Sequence, residues 1–199
     1  MRIIECAQRS EKWYSERLGR ITASNADRLL TTAKRATYQK ELLAEILAGQ
    51  QDIYVNSAMQ WGMDTESQAR ASYEFHTGRL VHEVGLCVHS DHDFIACSPD
   101  GFSADGLVEI KCPASTKNHI THIESGPGSD YYAQMQFQML VTDRPWVDFV
   151  SFDPRVPVSV QLHIVRIERD DELISLLLGY AQEVKRYIDE FKAKHGIRV

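Results

Sequence analysis

The sequence predicts a mixed α/β fold, and three observations carry that reading. The first third shows helical periodicity, residues 81–112 hold short apolar strands separated by turn residues, and the last third reads helix, strand, strand, helix. With 43% hydrophobic residues the 199-residue chain can bury a real core, so one domain over residues 1–199 is the expectation.

The elements follow in order. Thr22-Ala-Ser-Asn-Ala-Asp27 opens a short helix, with Thr22 or Ser24 as its N-cap. Tyr38–Leu47 is a helix with Leu42, Leu43, Ile46 and Leu47 on one stripe, and a longer helix runs from about Ser57 to His76, stopped by Gly78. Val81–His89 and Phe94–Cys97 flank the turn-like Ser90-Asp-His-Asp93 and read as a hairpin. The turn Ser103–Gly106 leads to a third strand, Leu107–Cys112, stopped by Pro113. Ser115–Glu124 and Asp130–Val141 are helices around the loop Ser125–Ser129. Trp146–Phe152 and Val158–Ile167 are strands, the second alternating through Val158, Val160, Leu162 and Ile164, and Asp170 starts a long amphipathic helix.

A net charge of −6 excludes a binder that holds nucleic acid by a general excess of cations, though not a local basic groove. The charge is uneven. Residues 1–50 carry 9 basic and 6 acidic side chains, whereas residues 51–110 hold ten acids against Arg70 and Arg79 alone. Leu29–Lys40 contains Lys34, Arg35 and Lys40 and no acid; a solvated surface explains most such asymmetry, and the sharper reading is that the front of the chain meets an anion while the middle holds cations. Cys6, Cys87, Cys97 and Cys112 show no CxxC spacing and are expected as free thiols, the last three as core fillers. The opening MRIIECAQRSEKWY lacks the apolar run of a signal peptide, and no stretch reaches the roughly 18 apolar residues of a membrane span, so a cytoplasmic protein is expected. The pairs His89/His92 and His119/His122 have ligand-like spacing but no cysteine at zinc-site spacing.

The chemistry concentrates in Ser98-Pro-Asp-Gly101 and Glu109-Ile-Lys111. Period-2 geometry puts Glu109 and Lys111 on one strand face and Val108, Ile110 and Cys112 on the other, while Asp100 returns beside Glu109 across the turn. Two carboxylates and a lysine then meet in oxygen-rich surroundings suited to Mg²⁺, with the lysine placed to orient or deprotonate a water. An Asp, a gap and E-x-K arise by chance about once in a chain of this size, so the triplet alone also fits a charged surface strand. The apolar flanks argue for a use, because such charges are costly in a core-like strand.

Six stretches in order carry more information: Trp13 with Arg17-Leu-Gly-Arg-Ile-Thr-Ala-Ser24, Trp61-Gly-Met-Asp-Thr-Glu66, Cys97-Ser-Pro-Asp-Gly101, Glu109-Ile-Lys-Cys-Pro113, Tyr131-Tyr-Ala-Gln-Met-Gln136 and Phe152-Asp-Pro-Arg155. In these the chain resembles the lambda exonuclease (YqaJ-type viral recombinase) family of PD-(D/E)xK nucleases. The resemblance implies a restriction-endonuclease-like fold, a central mixed β-sheet flanked by helices. It implies that Asp100, Glu109 and the main-chain carbonyl of Ile110 hold two Mg²⁺ ions, with Mn²⁺ able to substitute. Lys111 would position or activate water, and Glu66 would join through a metal-bound water; a lone helical Glu otherwise reads as solvated.

The same resemblance implies a 5′-phosphate pocket of Arg17, Ser24, Ser98 and Gln134. Ser24 can serve as both cap and ligand, and alignment on Tyr131 favours Gln134 over Gln136. Met59 falls where the family has an apolar wedge between the last base pairs, Ser57 replaces a basic residue near it, and Lys34, Arg35 and Lys40 are candidates for duplex-backbone contacts. The implied activity is processive 5′-to-3′ digestion of double-stranded DNA from its ends by a ring-shaped homotrimer, releasing mononucleotides. The 3′ tails would feed a single-strand annealing protein of phage or prophage recombination in a bacterial cell. The rival readings are an endonuclease or nickase on the same fold, a non-catalytic DNA-end-binding module, and a zinc-stabilised interaction domain.

Overall fold

The computed structural model describes residues 1–49 and 56–197. Its order is β1 (Arg2–Ile4), α1 (Glu11–Arg17), β2 (Ile21–Thr22), a 3₁₀ segment (Ala23–Leu29), α2 (Thr32–Ala48), α3 (Ser57–Thr77), β3 (Leu86–Val88), β4 (Ile95–Cys97), β5 (Gly101–Ser103) and β6 (Gly106–Lys111). Then come α4 (Thr116–Ser125), α5 (Ser129–Thr142), β7 (Trp146–Phe152), the one-turn α6 (Val158–Gln161), β8 (Leu162–Glu168) and α7 (Asp171–Lys194). The mixed α/β class and its flanking helices stand as expected. The strands, however, form two mixed sheets rather than one, ordered β1-β3-β4-β2 and β5-β6-β7-β8.

The chain leaves the first sheet at Cys97 and enters the second at Gly101, so Ser98-Pro99-Asp100 is the crossing between them. Gly101 makes the crossing possible, since a Cβ there would collide with the Val81 side chain and crowd the His82 carbonyl. In the second sheet β6 pairs antiparallel with β5 and parallel with β7, with Glu109 beside Phe149 and Lys111 beside Ser151. The parallel step is spanned by α4 and α5, and α5 is buried almost all round, which makes it the central helix of the larger core cluster.

Most element expectations hold. Gly78 ends α3 in the left-handed conformation and Asp170 caps α7 through Leu173 N. Cys87 pairs with Cys97 in the expected hairpin, although its first strand is only Leu86–Val88. The short helix after Thr22 is a 3₁₀ segment with no side-chain cap bond from Thr22. β1, β5 and α1 were not legible, each being short and half-exposed or closely followed by glycine.

One expectation fails. Val158–Ile167 is not a single strand: Val158–Gln161 forms a helical turn, Val158 is 85% exposed, and β8 begins at Leu162. The reason is that β7 ends at Phe152, which pairs with Leu162, so Val158 and Val160 have no strand to join. Gln161 instead donates to the carbonyls of Pro154 and Val156. Among the described residues no helix is long and apolar enough to cross a membrane.

Candidate active site

The two faces of β6 separate as their alternation requires. Val108 and Ile110 pack with Ala69 and Tyr73 of α3. Glu109 and Lys111 face α5 and its side chains. Glu109 is only 2% exposed, yet both its oxygens are engaged: Oε1 accepts from Lys111 Nζ at 2.5 Å and from Gln134 Nε2 at 2.6 Å, and Oε2 accepts from Gln138 Nε2 at 2.6 Å. The four-residue spacing on α5 matters here. Gln134 and Gln138 lie one helical turn apart on the face toward Glu109, whereas Gln136 points away and accepts from Asp170 N while donating to the Glu168 carbonyl.

Asp100 arrives from the crossing and accepts from Ile110 N at 2.6 Å. That bond fixes the two carboxylates on adjoining strands. Burial, and then the charge of Glu109, pushes the Asp100 carboxyl well above its ordinary range. Burial alone would lower the Lys111 ammonium, but the charges of Glu109 and Asp100 outweigh it and hold Lys111 protonated. Lys111 also sits over the Tyr131 ring, 4.8 Å from its centroid. Burial, with Glu66 and Asp100, raises the neighbouring Cys112 thiol to about 12, so it is inert as a nucleophile.

These groups open onto a cleft of about 460 Å³ whose walls include Asp100, Ile110, Lys111, Met59, Glu66 and His122. Met59 is 47% exposed at the first turn of α3, on the rim. Glu66, two turns further along, is held by Arg70 at 3.0 Å and Arg9 at 3.4 Å. Among the described residues no three His, Cys, Asp or Glu side chains group closely enough to hold a metal together. The donors on hand are therefore Asp100, Glu109 and the Ile110 carbonyl, with Glu66 at one remove. They fit a hard divalent cation: all are oxygens, and Asp100, pushed up by burial and then by the charge of Glu109, is a carboxylate whose charged form a bound cation would stabilise. The zinc reading of the histidine pairs has no such support, because His119 and His122 are instead hydrogen-bonded to Ser151.

The second expected group of residues is partly assembled. Arg17 stacks on Trp13 at 4.1 Å and donates to Thr22 Oγ1 and Ser24 Oγ, both at 3.3 Å. Trp13 Nε1 donates to Ser98 Oγ at 2.8 Å. Arg17, Ser24 and Ser98 thus gather around Trp13, whereas Gln134 directs its amide at Glu109. Burial lowers the Arg17 guanidinium pKa, and among the described residues the side chains that its guanidinium bonds are hydroxyls. On α2, Lys34 pairs with Asp27 at 2.8 Å and Lys40 is exposed. Arg35 is turned inward, stacked on Tyr180 and paired with Glu183 at 3.1 Å, which ties α2 to α7. Sequence reading missed Gln138, Arg9, Arg70 and the tryptophan platform. The spacing of Gln138 from Gln134 and of Arg70 from Glu66, four residues in each case, is the signal that was available.

A family model described as the YqaJ-like viral recombinase domain matches residues 12–145. The crystal structure of an alkaline exonuclease (LHK-Exo) from Laribacter hongkongensis superposes with a TM-score of 0.84 and 42% identity, covering 94% of this chain and 98% of that one. The same protein in complex with dAMP gives 0.85 and 43% over the same shares. A phage-related exonuclease from Haemophilus somnus shares the fold at 18% identity and a TM-score of 0.69, covering 88% of this chain and 96% of that one. An uncharacterized protein of Acanthamoeba polyphaga mimivirus is 27% identical over 75% of this chain, which spans about 30% of that curated relative's length. With two thirds of its length inside the family model, and the motifs of Arg17–Ser24, Trp61–Glu66 and Glu109–Pro113 all within it, the chain belongs to the YqaJ-like viral recombinase domain family.

Proposed function

We propose that the protein is a Mg²⁺-dependent exonuclease that degrades double-stranded DNA processively from 5′ to 3′, releasing 5′-mononucleotides and leaving 3′ single-stranded tails for annealing. The observation that carries this reading is the convergence of Asp100, Ile110 and Lys111 on one cleft, with the buried Glu109 bonded to Lys111 behind it, at the junction of the sheets. The likeness to an alkaline exonuclease across nearly the whole chain supports the DNA-hydrolase class.

In this reading Asp100, Glu109 and the Ile110 carbonyl hold the metal, and Glu66 reaches it through water. Bound Mg²⁺ supplies polarisation of the scissile phosphate and a water of lowered pKa. The Lys111 ammonium, fixed between Glu109 and the Tyr131 ring, orients the attacking water. Gln134 and Gln138 keep the Glu109 carboxylate in place from α5. Arg17, with Ser24 and Ser98, receives the terminal 5′-phosphate, because a guanidinium presents a fork to phosphate oxygens, while Gln134, expected with them, is taken up by Glu109. Met59 at the rim parts the last base pairs, and Lys34 and Lys40 meet the duplex backbone, while Arg35 secures the helix that carries them. A ring-shaped homotrimer enclosing the duplex accounts for DNA binding by an acidic chain. The partner is a single-strand annealing protein, in the cytoplasm of a bacterial cell carrying a phage or prophage.

One substrate set tests the reading. A linear duplex labelled at either 5′ end, with and without a 5′-phosphate, is digested alongside a covalently closed circle. Mg²⁺-triggered nucleotide release from the 5′-phosphorylated ends, with the circle intact, is the expected result. Cutting of the circle makes the protein an endonuclease, and retention of ends without release makes it a binding module. Light scattering at micromolar concentration should return a trimer mass, and a monomer overturns the ring.

A further inference from the structure

His119 and His122, one turn apart on α4, both face β7 and share one hydroxyl. His119 Nδ1 and His122 Nδ1 lie 2.8 and 2.9 Å from Ser151 Oγ, and His119 Nε2 lies 2.8 Å from the Val160 carbonyl. A carbonyl has no proton to give, so His119 Nε2 donates to Val160. His119 is fully enclosed and has no carboxylate among these partners, so its ring is neutral and its Nδ1 accepts. The Ser151 hydroxyl therefore donates to His119, and its oxygen is left to accept from His122. That requires the proton of His122 on Nδ1. The chain of four groups can run in one direction only, because it ends on a backbone carbonyl.

The consequence falls on His122 Nε2. It has no hydrogen-bond partner among the described residues and is not among their enclosed unpaired atoms, and His122 is part of the wall of the nuclease cleft. The ring is held by T-shaped contacts with Phe149 at 5.2 Å and Tyr131 at 5.8 Å. Tyr131 is also the ring beneath Lys111, and Ser151 is the register neighbour of Lys111 on the adjoining strand. Ser151 and Phe149, which hold the His122 ring, thus lie one strand, about 4.8 Å, across from Lys111 and Glu109, and His122 lines the same cleft as Lys111.

We propose that His122 Nε2 is the proton-accepting position of this site, locked as an acceptor by Ser151 and His119. The proposal rests on the nuclease reading above. The attacking water gives its proton to Nε2 as its oxygen bonds to phosphorus. The bond from phosphorus to the 3′ oxygen breaks, that oxygen keeps the electron pair and takes a proton from solvent, and the imidazolium returns its proton to water. Lys111, a donor only, orients the same water from the other side. Ser151 and His119 are positioning residues, acting through the tautomer of His122. The titratable groups facing the ring are Lys111 from β6, His119 from its own helix, His163 from β8 and Tyr131 from α5. Burial, with His119, Lys111 and His163, lowers its pKa, so the ring is neutral and able to accept above about pH 6.5.

The test uses ¹⁵N-histidine-labelled full-length protein and two variants. In the wild type the His122 signals, identified by their loss in His122→Asn, should show a protonated Nδ1 and a bare Nε2. Ser151→Ala should mix the two tautomers. His122→Asn keeps a donor toward Ser151 and lacks Nε2, so it should melt like the wild type. On a 5′-phosphorylated duplex its kcat should fall by about 10²-fold or more with KM unchanged, and the low-pH limb of the kcat profile should disappear. A protonated Nε2 in the wild type, or wild-type kcat in a folded His122→Asn protein, overturns the proposal. A wild type without nuclease activity overturns the functional reading and the proton-acceptor role with it, even if the Nδ1–H signal shows the lock in place.

Discussion

Asp100 and Asp153 are carboxylates flanking strands of the second sheet, Asp153 fully buried and Asp100 half-buried at the cleft, and their surroundings drive them in opposite directions. Asp153, which follows β7, accepts from Arg155 Nε at 2.7 Å, from a second Arg155 nitrogen at 2.8 Å, from Arg155 N at 3.0 Å and from Thr116 Oγ1 at 2.7 Å. Led by the Arg155 side chain, these donors pull its pKa down to about 2. Asp100 accepts one backbone N–H, and burial, then the charge of Glu109, pushes it up against the pull of Lys111. Two aspartates beside one sheet can thus do opposite work. The one with its donors supplied in the chain fastens the fold, and the one beside a second carboxylate is, in the reading proposed above, the one that would hold a cation. Asp153 also serves the site indirectly. Arg155 donates to the carbonyls of Pro113 and Ala114 and stacks 4.3 Å over Trp61, holding the segment after Lys111 against α3.

The contrast can be broken most directly at the carboxylates of the cleft. Asp100→Ala and Glu109→Ala should lose Mg²⁺-dependent nucleotide release down to background while staying folded by circular dichroism. Metal-free Asp100→Ala should melt higher than the wild type near neutral pH. The sign follows from the shift: an upward-shifted carboxylate destabilises the fold when charged, so metal-free wild type loses stability as pH rises through that pKa, above the ordinary value of about 3.9. Mg²⁺ should raise the melting temperature of the wild type and not of Glu109→Ala. A lower melting temperature for Asp100→Ala would place Asp100 with Asp153 as a fastener.

Lys111→Ala comes next, with a loss of roughly 10²–10⁴-fold in turnover and retained metal binding by calorimetry. Loss of metal affinity instead would give Lys111 a structural role. Arg17→Ala should remove the preference for 5′-phosphorylated over 5′-hydroxyl ends, on the order of tenfold to a hundredfold, measured as initial rates on both duplexes. Equal wild-type rates on the two ends would dismiss the pocket.

The smallest expected effect is at the paired carboxylate. Asp153→Asn should cost about 2 kcal/mol near neutral pH, from the size of the downward shift. That corresponds to a fall in Tm of about 4–8 °C for a chain of this size. A depressed carboxylate stabilises above its unfolded pKa, so the gap between variant and wild type should close as pH falls from about 4 towards 2. A gap that persists at pH 2 would mean that packing, not charge, is what Asp153 provides.

Much of this protein could be read from local sequence. The caps at Asp170 and Gly78, the apolar stripe of α2 and the strand Trp146–Phe152 are properties of a few neighbouring residues, and such signals survive folding unchanged. The alternation of Glu109 and Lys111 against Val108 and Ile110 is equally local, so the face of the candidate site was legible, as were the motifs that mark the family. Tertiary structure alone decided what depends on a partner distant in the chain. Val158–Gln161 alternates like a strand but has no strand beside it, because β7 has already ended. The split into two sheets depends on a crossing at Asp100 that only close backbone approach at Gly101 permits. Gln138 and Arg35 look alike in sequence to any polar helix residue, and only packing turned one toward Glu109 and the other toward α7. The direction of a proton along His119, Ser151 and His122 belongs to the same class. Each group is unremarkable alone, and the order of donors and acceptors exists only once three elements bring them within hydrogen-bond reach.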